Sequence, residues 1–240
     1  MMRIDERLLL RDLLTEYPQT RKVFEQYEID YCCGGLHNLG TAAELAGIPL
    51  NPLVDALKCS VADRNHGERN WADASVTELA DHIAKAHHAF LRDELPRLHA
   101  LIDKVQAAHQ RHDVMLSALK CEFARLECEL VQHLDNEDTN VFPLIRQMDA
   151  ISRNGGKLAA KASMRELTGP LETEHETAGL ALDSIREITS DFTLPEDACI
   201  AFRSMMESLK EFERDLHEHI HLENNILFPA AAALEKAAKR

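Results

Sequence analysis

The sequence predicts an all-α protein, a small helical domain followed by an up-down four-helix bundle, and three observations carry that reading. Four long stretches place apolar residues alternately three and four positions apart, the period of a helix with one buried face, and no strand pattern of useful length interrupts them. The pattern H-x-x-x-E-x-x-x-x-F-P occurs twice, from His133 to Pro143 and from His219 to Pro229. The spacing from His88 to His175 nearly equals that from His133 to His219, as a duplicated helical hairpin requires.

Residues 1–66 form the first domain in this reading and residues 74–236 the second. Within the first, Leu8, Leu9, Leu13 and Leu14 mark one helix, and Pro18 followed by Thr20 to Tyr27 marks another. Thr41-Ala42-Ala43-Glu44 opens a third with a capping-box pattern. Between the last two lies Ile29-Asp30-Tyr31-Cys32-Cys33-Gly34-Gly35. Adjacent thiols followed by two glycines predict a flexible, backbone-exposed turn with a reactive or metal-contacting pair, against the plainer alternative of two small residues packed under a helix. Cys59 to Asp73 is polar and reads as a linker.

The first bundle helix starts near Ser75, with Glu78 three residues on, and runs beyond Val105; Pro96 inside it predicts a kink. The second spans Asp113 to Met148, Ser152 to Gly156 is a loop, the third runs from about Lys161 to Thr189, and Pro195 lies near the start of the fourth. In both repeats the Phe-Pro falls where proline must bend or interrupt a continuing helix.

The repeats carry chemistry as well as topology. Residues four apart on a helix share a face, so each H-x-x-x-E pair offers an imidazole nitrogen and a carboxylate to a common point. Leu116, Leu119, Phe123, Leu126 and Leu130 step into His133 and Glu137; Phe202, Met205, Leu209, Phe212 and Leu216 step into His219 and Glu223. The same stepping puts His88 between Ala84 and Leu91, with His87 out of phase, and His175 between Leu171 and Ala178. Measured from turns near His112 and Thr193, all six polar side chains fall at one depth in the bundle. Four imidazoles and two carboxylates suit two metal ions bridged by the glutamates, with iron, manganese and zinc all compatible with the donor set. Glu129 and Glu174, one turn before His133 and directly before His175, are candidates for an outer shell around these ligands or for carrying protons. His109 continues the first stripe but lies 21 residues beyond His88, about 30 Å along a helix, too far to reach the same ions.

Composition narrows the partners. With 27 Lys and Arg against 41 Asp and Glu, the net charge of −14 disfavours nucleic acid and anionic membranes. The opening Met-Met-Arg-Ile-Asp-Glu-Arg has no apolar signal core and charges break every apolar run, so a soluble cytoplasmic protein with no membrane partner is expected. Six cysteines without framework spacing are expected to be reduced thiols.

Asp30-Tyr-Cys-Cys-Gly-Gly35, His88-Ala-Phe-Leu-Arg-Asp-Glu-Leu-Pro96, Lys104-Val-x-x-x-His109, Glu174-His175-Glu176 and His219-Ile-x-Leu-Glu-Asn-Asn-x-Leu-Phe-Pro229 together resemble the repair of iron centres family, the YtfE/ScdA type, over nearly the whole chain. The resemblance implies an N-terminal domain bearing the paired cysteines and a hemerythrin-like bundle holding two non-haem iron ions. In it His88, His133, His175 and His219 are terminal ligands, and Glu137 and Glu223 are bridging carboxylates, with an oxo or hydroxo group as a further bridge. It also implies damaged iron–sulfur proteins as partners, with Cys32 and Cys33 aiding transfer, redox chemistry or docking. Two other functions fit the same residues: reduction of nitric oxide to nitrous oxide at the di-iron centre, and dioxygen binding or sensing. A homodimer in which the two domains meet between chains is left open. The first repeat departs from the last, since Glu137 is followed by Asp-Thr-Asn.

Overall fold

Three of the four long helices of the bundle change their winding at one level. The computed structural model describes residues 4–62, 69–155 and 163–238. The N-terminal unit holds α1 (Leu10–Glu16), α2 (Arg21–Gln26), α3 (Leu39–Leu45) and α4 (Leu50–Ala62). The bundle's first long helix is α5 (Val76–Ile83), a π turn (Ala84–His88) and α6 (Ala89–Ala108). Its second is α7 (Asp113–Asn136), a π turn (Glu137–Val141) and α8 (Phe142–Asn154). The third is α9 (Met164–Ile188), and the fourth is α10 (Ile200–His221), a π turn (Leu222–Leu227) and α11 (Phe228–Ala238). Helix α6 packs against α7 and α10, and α9 against both of those, which closes the bundle.

Local signals explain most boundaries. Ser75 and Ser163 each form a reciprocal capping box with the glutamate three residues on, Glu78 and Glu166, satisfying amides that the first turn leaves unpaired. Gly155, at φ 76°, ends α8 in a conformation costly for any residue with a Cβ. Several expected boundaries move. Helix α3 is capped by Asn38, whose Oδ1 accepts from the Thr41 amide, so Thr41 lies inside the helix and its capping-box pattern is not used. The expected linker from Cys59 begins as helix: α4 continues to Ala62 because Leu53, Leu57 and Val61 bury one face. The rest of that linker falls partly on residues 63–68, outside the described residues, before a short 3-10 turn at Trp71–Asp73. The start of α9 expected near Lys161 also lies outside the described residues, while α8 extends three residues into the expected loop, to Asn154.

Proline does not end the long helices. Helix α6 runs through Pro96 and α9 through Pro170. Pro143 and Pro229 sit at the second position of the helices that follow the π turns, where a missing N–H costs little because the wider turn has already released that bond.

The core falls into two apolar clusters. The larger runs from Leu91 to Val105, Leu116 to Leu134, Ala178 to Ile185 and Phe202 to Ile220, and it takes in the N-terminal unit through Leu13, Phe24, Tyr31, Leu39 and Leu57. The smaller joins Leu79, Ile83, Phe142, Ile145, Leu171, Leu227 and Phe228 at the other end of the bundle. Between the two, on every long helix, stand His88, His133, Glu137, His175, His219 and Glu223, a polar layer sealed above and below by apolar side chains.

The N-terminal unit meets the bundle at this level within one chain. Tyr31 is buried against the rings of Phe24, His217 and His221. The Asn225 side-chain amide donates to the carbonyls of Tyr31 and Cys32, both at 3.3 Å, and to His221 Nδ1 at 3.0 Å. Arg21 pairs with Glu218, and Arg186 with Glu28 at 3.3 Å. Gly35 is pressed so closely on Asn225 that a Cβ there would stand 2.2 Å from its Oδ1. Gly35→Ala is therefore expected to destabilise the protein by about 1–3 kcal/mol through loss of the Asn225 hydrogen bonds. Thermal melts of Gly35→Ala, Asn225→Ala and the double variant should show clearly less than additive losses, and additive losses would separate the glycine from this contact.

Candidate metal centre

The six polar residues expected to converge do so. His88 Nε2 lies 3.3 Å from Glu137 Oε2 and 4.0 Å from Glu223 Oε1, and His219 Nε2 lies 3.2 Å from Glu223 Oε1 and 3.8 Å from Glu137 Oε2. On the other side His133 Nε2 is 3.3 Å from Glu137 Oε2, and His175 Nε2 is 3.1 Å from Glu223 Oε2 and 3.0 Å from His133 Nε2. The result is two overlapping groups, His88, Glu137, His219, Glu223 and His133, Glu137, His175, Glu223, each with ligand atoms close enough to hold a metal ion. Both glutamates belong to both groups, as bridging carboxylates must.

Helix geometry sets up this convergence. Glu137 and Glu223 lie in π turns and His88 ends one, so three of the six ligands stand where the helix is wound one residue wider. Both carboxylates are fully buried, and their four oxygens find no hydrogen bond in the protein, nor does either ring nitrogen of His219 or Nε2 of His88. Buried polar atoms without partners are rare and costly, so a set of them aimed at common points fits a bound cation.

The imidazoles are aimed from behind. His88 Nδ1 meets Asp138 Oδ1 at 2.9 Å, His133 Nδ1 meets Glu174 Oε2 at 2.7 Å, and His175 Nδ1 meets Asn224 Oδ1 at 2.8 Å. Such bonds fix the tautomer that leaves Nε2 free for a metal. Glu174 thus stands where expected, although it serves His133 rather than its neighbour His175. Glu129 does not: it is exposed and paired with Arg125 at 2.9 Å, because it lies one residue off the inward seam through Leu130. Asp138 and Asn224 were missed, yet the repeat marks them, each directly following its glutamate. The repeat also explains its phenylalanine: Phe142 stacks on His88 and Phe228 on His175, with ring centroids 5.2 and 6.2 Å apart.

The thiol pair meets different surroundings from those expected. Cys32 and Cys33 do not lie on an exposed flexible turn. Asp30 accepts bonds from the amides of Cys32, Cys33 and Gly34, each at 3.0 Å, and Cys32 is buried with its thiol donating to Asp30 at 3.2 Å. The adjacent Cys33 sulfur, then burial, push the Cys32 thiol well above the ordinary range, so it stays protonated at neutral pH. Half-buried Cys33 points its thiol at the backbone carbonyl of His175, 3.7 Å away. His109 ends α6 far from the cluster, with Nε2 3.1 Å from Cys199 Sγ.

Protonation completes the electrostatics. Burial alone would lower the His133 and His219 pKa values, but Glu137 beside the first and Glu223 beside the second outweigh it, raising them to about 9 and about 10. Burial would likewise raise Glu137 and Glu223, and the imidazoles facing them instead hold both low. Without metal, two imidazolium ions therefore balance two carboxylates. A histidine raised above its ordinary 6.5 lends stability that is complete below that value and lost as pH rises through the folded value. The metal-free protein is expected to lose thermal stability between pH 6.5 and about 10. Over the same range metal binding should tighten, with release of about two protons per chain at neutral pH in a weakly buffered titration; pH-independent binding without proton release would contradict this charge balance.

Among the described residues no helix is long and apolar enough to cross a membrane. Residues 78–231 match the family described as "Hemerythrin HHE cation binding domain", and residues 9–60 match "Domain of Unknown function (DUF542)". The chain is 34% identical over 223 residues to the "Probable iron-sulfur cluster repair protein" of Haemophilus influenzae, covering 92% of this chain and 94% of that protein. It is 33% identical over 220 residues to the "Iron-sulfur cluster repair protein YtfE" of Yersinia pestis, covering 89% and 91% of the two chains. The YtfE protein of Yersinia pseudotuberculosis matches to the same extent. Built of helices with no strand among its described residues, a hemerythrin-type bundle behind a small N-terminal unit, this chain belongs to the family of iron–sulfur cluster repair proteins that carry a hemerythrin HHE domain.

Proposed function

We propose that this protein repairs damaged iron–sulfur clusters by supplying iron from a carboxylate-bridged pair of non-haem iron ions. The observation that carries the reading is the pair of overlapping His/Glu groups sharing both glutamates, beside a thiol loop that touches one ligand helix. The names of the relatives support repair as the task. In this reading His88 and His219 hold one ion, His133 and His175 the other, and Glu137 and Glu223 span them. Residues 1–66 act as the thiol-bearing domain and 74–236 as the metal-bearing one. Bound there, the iron pair supplies exchangeable ferrous ions and two adjacent redox centres.

The chain's own groups do the rest. Asp138, Glu174 and Asn224 orient the imidazoles, the apolar layers above and below exclude bulk water, and Glu137 and Glu223 balance the cationic charge. Thiolates are softer ligands than the imidazoles and carboxylates of the bundle. Cys33 reaches the backbone carbonyl of His175, and Asp30 fixes its own backbone; in this reading Cys33 takes iron outward, with Cys32 as its protonated partner.

Protein loaded with labelled ferrous iron should restore activity to a cluster enzyme inactivated by nitric oxide or peroxide, with label appearing in the rebuilt cluster. Cys32→Ser/Cys33→Ser protein should keep its iron but repair several-fold more slowly; wild-type rates would make the two cysteines packing residues. Restoration without transfer of label, or nitrous oxide as the stoichiometric product, would overturn donation. Glu137→Ala and Glu223→Ala should each abolish magnetic coupling or empty the site, and unchanged coupling in both variants would sink the bridging assignment.

A further inference from the structure

The two halves of the cluster are built by one repeat but not finished alike. In each hairpin the residue after the glutamate holds the solitary histidine, Asp138 on His88 and Asn224 on His175. The residue before the solitary histidine stands behind the repeat's own histidine. In one half this is Glu174, whose carboxylate meets His133 Nδ1 at 2.7 Å. In the other half the equivalent position is His87.

His87 does not serve as Glu174 does. It is buried, its ring lies nearly parallel to that of His219 with centroids 5.9 Å apart, and no hydrogen bond joins the two. Its Nδ1 is taken by Asp215 at 3.0 Å, while its Nε2 and the Nδ1 of His219 find no partner in the protein. The position between His133 and His175 therefore has both imidazoles tethered, one by an anion. The position between His88 and His219 has one tether, on Asp138, whose charge is shared with Arg92 at 3.0 Å.

Resting on the two-ion reading above, we infer that the cation positions are unequal: the ion at His133 and His175 is the anchored one, the ion at His88 and His219 is the exchangeable one, and Glu174 against His87 sets the difference. A carboxylate behind a ligating imidazole raises its basicity and fixes its plane, and loss of such a partner typically weakens metal binding about 10- to 100-fold. An unequal pair suits a donor protein. One ion leaves while the other keeps the buried carboxylates neutralised and the bundle intact.

The test is an anaerobic titration of full-length, metal-free protein with cobalt(II), followed by its ligand-field bands against a competing chelator, together with a crystal soaked in less than one equivalent of zinc. The expected isotherm has two steps separated by about 10- to 100-fold, and the zinc is expected at His133 and His175. Glu174→Ala should weaken the first step until the two merge, and Glu174→Gln, which keeps an acceptor, should restore part of the separation. Two ions bound with equal affinity, zinc first at His88 and His219, or steps unchanged in Glu174→Ala would overturn the inequality while leaving the two-ion reading in place. An endpoint of one ion per chain would instead overturn the two-ion reading itself, and the wild-type isotherm and the zinc position decide between these without any variant.

Discussion

Two carboxylates with no exposure, side by side in the middle of a helical bundle, are the constraint on which the structure depends. Removing such ions from water costs several kcal/mol each even after relaxation, so they persist only with cations in contact. Histidines meet that requirement in either state: His133 and His219 as imidazolium ions in the metal-free chain, and all four as groups that would deliver metal charge to the same place. The apolar clusters on either side keep water out and make every interaction in the layer stronger.

How much of this was legible follows from what a helical period can and cannot report. The stripes entering His133 and His219 located the inward faces, and hairpin counting put six ligands at one depth, because 1.5 Å per residue is the same on every helix. The π turns were invisible, since counting assumes constant winding. They leave the convergence of the six side chains intact because Glu137 and Glu223 fall at the start of the wide turns, before the register slips. Helix α4 was read as polar linker from Cys59 onward because its buried face is only three residues, Leu53, Leu57 and Val61. Cys32 looked exposed because two glycines suggest an open turn; Asp30 folds that turn inward instead, through contacts no composition rule reveals. His87, set aside as out of phase, is as buried as a ligand because the wide turn that ends at His88 brings both rings inside.

One turn of helix joins the two functional parts. Leu222–Leu227 carries Glu223 into the cluster, Asn224 onto His175 and Asn225 onto the backbone of the thiol loop. Three consecutive residues thus face a bridging position, a ligand's outer nitrogen and the neighbouring domain.

We propose that this polar layer is a paired iron site. Iron content and a Mössbauer spectrum of the purified full-length protein test it most directly. The account predicts two irons per chain, giving in the oxidised state a single antiferromagnetically coupled pair with a diamagnetic ground state. One iron per chain, or two irons with uncoupled high-spin ferric spectra, would contradict it.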